Sequence, residues 1–133
     1  MKIIESSYIN GHSVIVIQTA SGTFTGHAKV HPEDKIVESR IVGWKIAEQR
    51  AIINYYKDKI KKEKNIIKGI EELTKNFDTA SAVTYAAEKL IYQHKNQIKS
   101  WESQIKESKL ILNEISDGIQ KTKMVINRKN RTE

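Results

Sequence analysis

The feature that most constrains this chain is a heptad repeat in its C-terminal half. Apolar residues recur at alternating spacings of four and three, interrupted by polar residues at His94, Ser108 and Thr122. The repeat consists of Ala87, Ile91, His94, Ile98, Trp101, Ile105, Ser108, Leu112, Ile115, Ile119, Thr122 and Ile126. A 3.5-residue repeat of this length is typical of helices that pack along a coiled-coil seam. We therefore predict one long helix over residues 79–128, followed by a basic tail over residues 129–133.

A first long helix is predicted to precede it, over residues 33–75. Pro32, the only proline, is followed by two acidic residues, a combination typical of the first turn of a helix. A shorter heptad seam follows, with one charged interruption: Ile53, Tyr56, Ile60, Glu63, Ile67 and Ile70. Residues 76–79 then favour a turn, in which Asp78 or Thr79 is the expected N-cap of the next helix.

Residues 1–31 are predicted to form a three-stranded antiparallel meander. Asn10-Gly11 is a strong signal for a type I′ hairpin turn, because both turn positions need a positive φ. Ser21-Gly22 is the expected second turn. The alternation after it places Phe24 and Ala28 on the same face of the third strand. Three strands alone are marginally stable, so we expect a helix to cover one face.

The predicted fold class is α+β. An N-terminal three-stranded antiparallel meander is followed by two long antiparallel helices that form an oligomeric coiled-coil assembly, in a single domain over residues 1–133. Leu90, Leu110 and Ile111 widen the apolar stripe of the second helix beyond what one partner helix would hide. We therefore expect a homo-oligomer, with a dimer as the minimum and higher even-numbered assemblies, such as a hexamer, as the alternative.

The charge balance favours an anionic partner. Lys and Arg outnumber Asp and Glu by 23 to 16, a net charge of +7, and residues 57–68 and 121–131 concentrate the excess. No cysteine is present, which rules out a disulfide or a Cys-based zinc site. The N-terminus lacks the apolar core of a signal peptide, and no apolar run is long enough to span a bilayer. We expect an intracellular protein with no membrane partner.

Signals of catalysis are weak, and we expect no enzymatic activity, no cofactor and no metal. No glycine-rich phosphate loop, serine elbow or HExxH motif occurs. His27, His31 and Asp34 are close in sequence and could be metal ligands. They lie across a predicted strand end and turn, however, where a spacing of four has no helical meaning. Ordinary surface or packing histidines are therefore favoured.

Five residues are candidates for binding a nucleotide-like ligand. Arg40, Arg50 and Arg128 are three of only four arginines, and each guanidinium could hold a phosphate in a bidentate manner. Phe77 and Tyr85 could stack on a purine. Phe77 also lies beside the predicted start of the second helix, where free backbone N–H groups favour an anion.

The segment FTGHAKVHPEDKIVESRIVGWKIAEQRA, residues 24–51, combines a strand ending in Gly-x-Ala, a His-Pro-Glu-Asp turn and a helix of the form Gly-x-x-x-Ala-x-x-Arg-Ala. The matching positions are Gly26, Ala28, His31, Pro32, Glu33, Asp34, Gly43, Ala47, Arg50 and Ala51. With two long helices behind this segment, the chain resembles the first-type Thoeris anti-defence sponges of phages.

The resemblance implies a non-enzymatic oligomer in the host cytoplasm. Such a protein binds and holds a cyclic ADP-ribose isomer made by a bacterial TIR-domain immune enzyme, which leaves the effector unactivated. Some members of the family also hold cyclic oligonucleotides at separate sites.

Two other functions stay open at this stage. A nucleic-acid-binding phage accessory protein would use the Lys-rich helix and the basic tail on phosphates, with an affinity that falls steeply with salt. Nucleic acid is the less favoured partner. A structural coiled-coil component of a phage particle would bind no small molecule.

Overall fold

The computed structural model describes residues 1–31 and 39–132, with the backbone alone at residues 131 and 132. It confirms the predicted fold class, because a three-stranded antiparallel sheet is followed by two long helices. The elements are β1 (Lys2–Ile9), β2 (His12–Thr19), β3 (Gly22–Lys29), α1 (Arg40–Thr74) and α2 (Ala82–Thr132). They form two compact units, one of Met1–Tyr55 with Lys106–Glu133 and one of Tyr56–Ile105. Neither described helix is long and apolar enough to cross a membrane.

The two hairpin turns use residues that tolerate unusual backbone angles. Asn10 and Gly11 have φ angles of 52° and 76°, as the predicted type I′ turn requires. The second turn lies one residue earlier than predicted. It is formed by Ala20 and Ser21, because Gly22 is already paired in β3. The φ angle of Gly22 is 122°, which residues with a side chain rarely adopt, so glycine suits this position.

The sheet buries one face against α1. Alternate residues of the central strand β2 are almost fully buried: Ser13, Ile15 and Ile17 are 1%, 3% and 2% exposed. The rest of this core consists of Ala28, Ala47 and Ala51, with Phe24, Trp44, Ile46, Ile52 and Tyr55 packed around them. Because strand side chains alternate, His12 and Val14 lie on the opposite face of the sheet.

Helix and sheet approach so closely that a side chain does not fit at two glycines. A Cβ built on Gly26 would lie 1.8 Å from the carbonyl oxygen of Ala47 and 2.5 Å from the amide nitrogen of Ala51. The backbone of α1 therefore rests directly on β3. A Cβ on Gly43 would lie 2.3 Å from the Oγ of Ser13 on β2. Gly43, Ala47 and Ala51 recur every four residues, so they share one face of α1 and allow this approach.

The contact at Gly43 leaves a polar group buried. The Oγ of Ser13 has no hydrogen-bond partner in the part of the chain that the structure describes. A buried hydroxyl without a partner is destabilising, since it has given up its hydrogen bonds to water.

The described α1 begins at Arg40, and a serine caps it. The Oγ of Ser39 accepts a hydrogen bond from the amide of Val42 at 3.3 Å, which satisfies one of the free N–H groups of the first turn. The predicted helix start at residue 33, with its proline and acidic residues, falls within residues 32–38, outside the described residues.

A serine also caps α2. The Oγ of Ser81 accepts a hydrogen bond from the amide of Thr84 at 3.1 Å. The predicted caps were Asp78 and Thr79, and both lie in the preceding turn. The carboxylate of Asp78 accepts a hydrogen bond from the amide of Ala80 at 3.1 Å, so it closes that turn instead of capping the helix.

α2 is also longer than predicted at its C-terminal end. It continues to Thr132, and it contains no proline and no glycine after Gly118. Nothing in the sequence therefore ends the helix at residue 128. Residues 129–132, which we expected to form a basic tail, are helical.

The two glycine contacts predict different responses to alanine. Gly26→Ala should lower the free energy of unfolding by about 3 kcal/mol or more, because the new Cβ meets backbone that can move only if α1 shifts. Gly43→Ala should lower it by about 1–3 kcal/mol, because its Cβ meets the Oγ of Ser13. Urea unfolding followed by circular dichroism measures both values.

Ser13→Ala provides the control for these variants. By itself it should be neutral or stabilising, because it removes the unpartnered hydroxyl. It should rescue most of the loss in Gly43→Ala and none of the loss in Gly26→Ala. Equal rescue of both glycine variants would contradict the two contacts described above.

Candidate anion-binding groove

The unit Tyr56–Ile105 is an antiparallel pair of segments from α1 and α2. Its apolar core consists of Ile60, Ile67, Ile91, Ile98, Trp101 and Ile105. All six belong to the heptad seams predicted from the sequence, so the two seams face each other in this unit. The ammonium of Lys59 lies 5.0 Å from the ring centre of Trp101 and covers one edge of the core.

The polar interruptions of the two seams also face each other. Nδ1 of His94 forms a hydrogen bond with the carboxylate of Glu63, and the two side chains are 28% and 14% exposed. Sliding one segment along the other would leave both groups unpaired in an apolar seam, which is destabilising. The pair therefore selects the register of the two segments.

This register produces a basic groove on one flank of the helix pair. The groove has a volume of about 330 Å³ and is lined by Lys64, Ile67, Lys95, Ile98, Lys99 and Glu102. We call these six residues the hairpin groove. The two isoleucines belong to the buried seam and form an apolar floor. Three lysines and one glutamate give the lining a net charge of +2.

The composition of the hairpin groove suits a ligand with an apolar part and an anionic part. Small-molecule sites are concave and mostly apolar, with a few polar groups that set orientation, and they enclose about 300–1,000 Å³. The hairpin groove lies at the lower end of that range. It could hold part of a nucleotide, with the remainder extending beyond it.

A line of lysines on α1 extends the positive charge beyond the groove. Lys57, Lys61, Lys64 and Lys68 are spaced by four, three and four residues, and all are exposed. This spacing places them along one side of the helix over about 17 Å. Such a line attracts anions towards the groove over a distance that depends on ionic strength.

Of the five residues that the sequence suggested, Arg40 lies beside aromatic rings. Its guanidinium carbon is 5.3 Å from the ring centre of Tyr8 and 5.5 Å from that of Trp44. The Nε1 of Trp44 donates a hydrogen bond to the carbonyl oxygen of Ser7 at 3.1 Å. Arg40 therefore lies over the β1 edge of the sheet as a cation between two aromatic faces.

Arg50 has a structural partner at the β3 edge. Its Nη1 donates to the carbonyl oxygen of His27 at 2.7 Å, and the Nδ2 of Asn54 donates to the carbonyl oxygen of Thr25 at 2.9 Å. β3 is an edge strand, so these α1 side chains occupy acceptors that another chain could otherwise pair with. Arg40 and Arg50 thus contact opposite edges of the sheet.

The remaining three candidates lie in other parts of the chain. Phe77 is 50% exposed in the turn, and Tyr85 is 71% exposed near the start of α2. Arg128 is exposed towards the end of α2. None of the five candidates is among the described residues that line the hairpin groove.

Packing accounts for much of the motif that carries the family resemblance. Gly26, Gly43, Ala47 and Ala51 form the close contact between α1 and the sheet, and Arg50 bonds the edge of β3. The Pro-Glu-Asp part of the motif lies outside the described residues. In the described part, these motif residues pack a helix on a sheet.

Sequence reasoning missed Lys95 and Lys99. The lysine cluster that stands out in the sequence is on α1, whereas these two are on α2, where Asn96, Gln97 and Ile98 separate them. A signal was present, because Glu63 and His94 interrupt the two seams at nearly the same distance from the turn. In an antiparallel pair, matching those interruptions would have placed Lys64 across from Gln93, two residues from Lys95.

Comparisons of the chain with protein-family models, with curated proteins and with solved structures find no match in any of the three. The described residues include no group of three or more His, Cys, Asp or Glu side chains that could hold a metal ion. The hairpin groove is assigned as the candidate site from its own geometry and charge.

The Glu63–His94 pair predicts a non-additive effect of mutation. Glu63→Leu or His94→Leu alone should lower the free energy of unfolding by about 1–2 kcal/mol, because each leaves the partner without its hydrogen bond. The double variant should be at least as stable as the natural protein, since both seams become continuously apolar. Urea unfolding of the three variants measures the coupling.

The surface ion pair of Lys45 and Glu48 is the control, with side chains 50% and 29% exposed. Removing either of its members should change stability by less than about 1 kcal/mol. If the decreases in the free energy of unfolding add up in the Glu63→Leu/His94→Leu double variant, the pair does not select the register.

Proposed function

We propose that this protein is a non-catalytic binding protein that sequesters a phosphate-bearing nucleotide. The proposed ligand is a cyclic ADP-ribose isomer that serves as an immune signal. Holding it intact would keep it from its effector, as in a phage anti-defence sponge of the host cytoplasm. The observation that carries the proposal is the hairpin groove, in which three lysines surround an apolar floor.

The two parts of the groove match the two parts of such a ligand. A purine ring is flat, and Ile67 and Ile98 offer it an apolar surface. Pyrophosphate is an anion, and Lys64, Lys95 and Lys99 offer it three cations. Lysine carries its charge on a flexible stem, so the three ammonium groups can follow a bent or cyclic pyrophosphate.

The family resemblance over residues 24–51 supports the choice of a cyclic ADP-ribose isomer within this ligand class. The described glycines and alanines of the motif, and its arginine, have packing roles. We therefore assign the motif to the scaffold and propose ligand contacts on the helix pair. Arg40, Arg50, Phe77, Tyr85 and Arg128 stay sequence predictions for ligand contacts outside the hairpin groove.

Sequestration without cleavage agrees with the lining of the groove. Cleaving a glycosidic or pyrophosphate bond calls for placed acid–base groups or a metal. Among the described lining residues, Glu102 is the one carboxylate and there is no histidine. We therefore expect release of an unchanged ligand.

Self-association through α2 completes the proposal. Leu90, Leu110, Met124 and Val125 are 47%, 55%, 55% and 51% exposed. The seam positions between residues 111 and 119 are only partly buried in one chain. A homo-oligomer, as a dimer or a hexamer, would cover this apolar stripe and could close ligand sites from solvent.

Titration calorimetry with a cyclic ADP-ribose isomer made by an activated TIR-domain enzyme tests the proposed ligand. The natural protein should bind it, and denaturation should release it with unchanged mass. The double variant Lys95→Gln/Lys99→Gln should bind about tenfold more weakly per lysine, or roughly 1.4 kcal/mol each, because the groove loses two cations. Both side chains are exposed, so the helix content should not change.

Lys89→Gln/Lys121→Gln is the matched control, because it removes the same charge from exposed positions of α2 outside the groove. It should change affinity by no more than about twofold, since screened surface charges act weakly at a distance. If both double variants lose the same amount of ligand affinity, the overall charge of the protein, and not the groove, holds the ligand. Recovery of ADP-ribose or a linear nucleotide would show that the protein is an enzyme.

The line of lysines on α1 favours nucleic-acid binding as a second candidate function. Lys57, Lys61, Lys64 and Lys68 could follow a phosphate backbone along one side of the helix. This function predicts similar affinity for oligonucleotides of unrelated sequence, with a steep loss on addition of salt. Selective binding of the cyclic nucleotide over such oligonucleotides would favour sequestration.

Light scattering tests the proposed self-association. The natural protein should have a mass well above 15.3 kDa. Ile115→Asp/Ile119→Asp should dissociate it, because carboxylates would be buried without partners in the interface. Ser116→Asp/Gln120→Asp adds the same charges at exposed neighbouring positions and should leave the assembly intact. A monodisperse monomer of the natural protein would contradict the assembly.

A further inference from the structure

Two histidines from neighbouring strands meet on the face of the sheet opposite α1. His12 is the first residue of β2 and pairs with Lys29, whereas His27 of β3 pairs with Val14, so the two histidines are diagonal neighbours. Both are exposed. Nε2 of His12 lies 3.1 Å from Nδ1 of His27, and the ring centres are 5.2 Å apart.

The distance between these nitrogens equals that of two ligands on one metal ion. Bonds from zinc to histidine nitrogen are about 2.0–2.1 Å long, so nitrogens at the observed spacing would subtend roughly 95–102° at a shared ion. That angle lies between the value of about 90° in square-planar sites and about 109° in tetrahedral sites.

The surrounding backbone holds the two histidines in place. β2 is the central strand and is hydrogen-bonded on both sides. The neighbour of His12 is Ser13, which is 1% exposed, and the neighbour of His27 is Ala28, which is 7% exposed. The carbonyl oxygen of His27 is also bonded by Arg50. The backbone of both histidines is therefore fixed, and side-chain rotation is the change that brings both lone pairs onto one ion.

We propose that His12 and His27 form a two-imidazole site for a borderline divalent cation, Zn²⁺, Ni²⁺ or Cu²⁺. In the neutral pair, one ring N–H donates to the lone pair of the facing nitrogen. On metal binding, the donor ring moves its proton through solvent to its other nitrogen. Both facing nitrogens then bind the ion, and the neutral pair releases no net proton.

The pair supplies two ligands, and within the described residues no third His, Cys, Asp or Glu joins it in a metal-binding group. Cu²⁺ should bind most tightly, because the affinity of nitrogen sites rises towards copper and falls again at zinc. The sequence grouped His27 with His31 and Asp34, whereas the strand register pairs His27 with His12.

Calorimetric titration of untagged protein with ZnCl₂, NiCl₂ or CuCl₂, each alone, tests the site. We expect one ion for each chain. His12→Gln and His27→Gln should each weaken binding by about tenfold or more, because a single imidazole no longer chelates. His31→Gln is the matched control and should bind like the natural protein. The unfolding temperature of metal-free protein should be the same in all three variants, since these side chains are exposed.

Long-range ¹H–¹⁵N NMR of the zinc-saturated protein identifies the ligand atoms. The metal-bound nitrogens should be Nε2 of His12 and Nδ1 of His27. Saturating zinc should raise the unfolding temperature of the natural protein and not that of either single variant. Loss of binding in His31→Gln would overturn the proposal, because the ion would then lie between His27 and His31. Equal metal affinity in the natural protein and in a His12→Gln/His27→Gln variant would overturn it as well.

Discussion

The backbone of α1 lies directly on β3 at Gly26, and the unit that contains the sheet depends on this contact. The space beside Gly26 is filled by the carbonyl of Ala47, so backbone atoms set the distance between helix and strand. At that distance Arg50 and Asn54 reach the carbonyl oxygens of one edge strand, and Trp44 reaches the other. One helix thereby covers a face of the sheet and bonds both of its edges, which makes a marginal three-stranded sheet stable.

The helix pair Tyr56–Ile105 depends on a different constraint. Isoleucines drive its association, yet isoleucine seams alone tolerate sliding, since apolar contact is not directional. The partly buried pair of Glu63 and His94 opposes this sliding, because the two side chains form their hydrogen bond in one register. Charge within the seam thus sets where the lysines on its flank come together.

In the proposed binding protein, the residues that hold the fold together differ from the residues that would bind the ligand. Gly26 and Gly43 lie where the helix and the sheet leave no room for a side chain, so packing requires glycine at both positions. Lys95 and Lys99 are exposed beside the seam, so the packing of the helix pair does not require lysine at these positions. Ligand chemistry on such a scaffold can therefore change without loss of the fold, and the motif and the ligand site need not coincide.

The sequence alone determined the fold class, the Asn10-Gly11 turn and the two seams, because turn chemistry and periodicity are properties of consecutive residues. Caps were less well determined, since neighbouring polar residues compete and only geometry selects Ser81 over Asp78. The full lining of the groove and the pairing of His12 with His27 were decided by the tertiary structure. Their members come from different elements, and they meet only once burial and register have fixed those elements side by side.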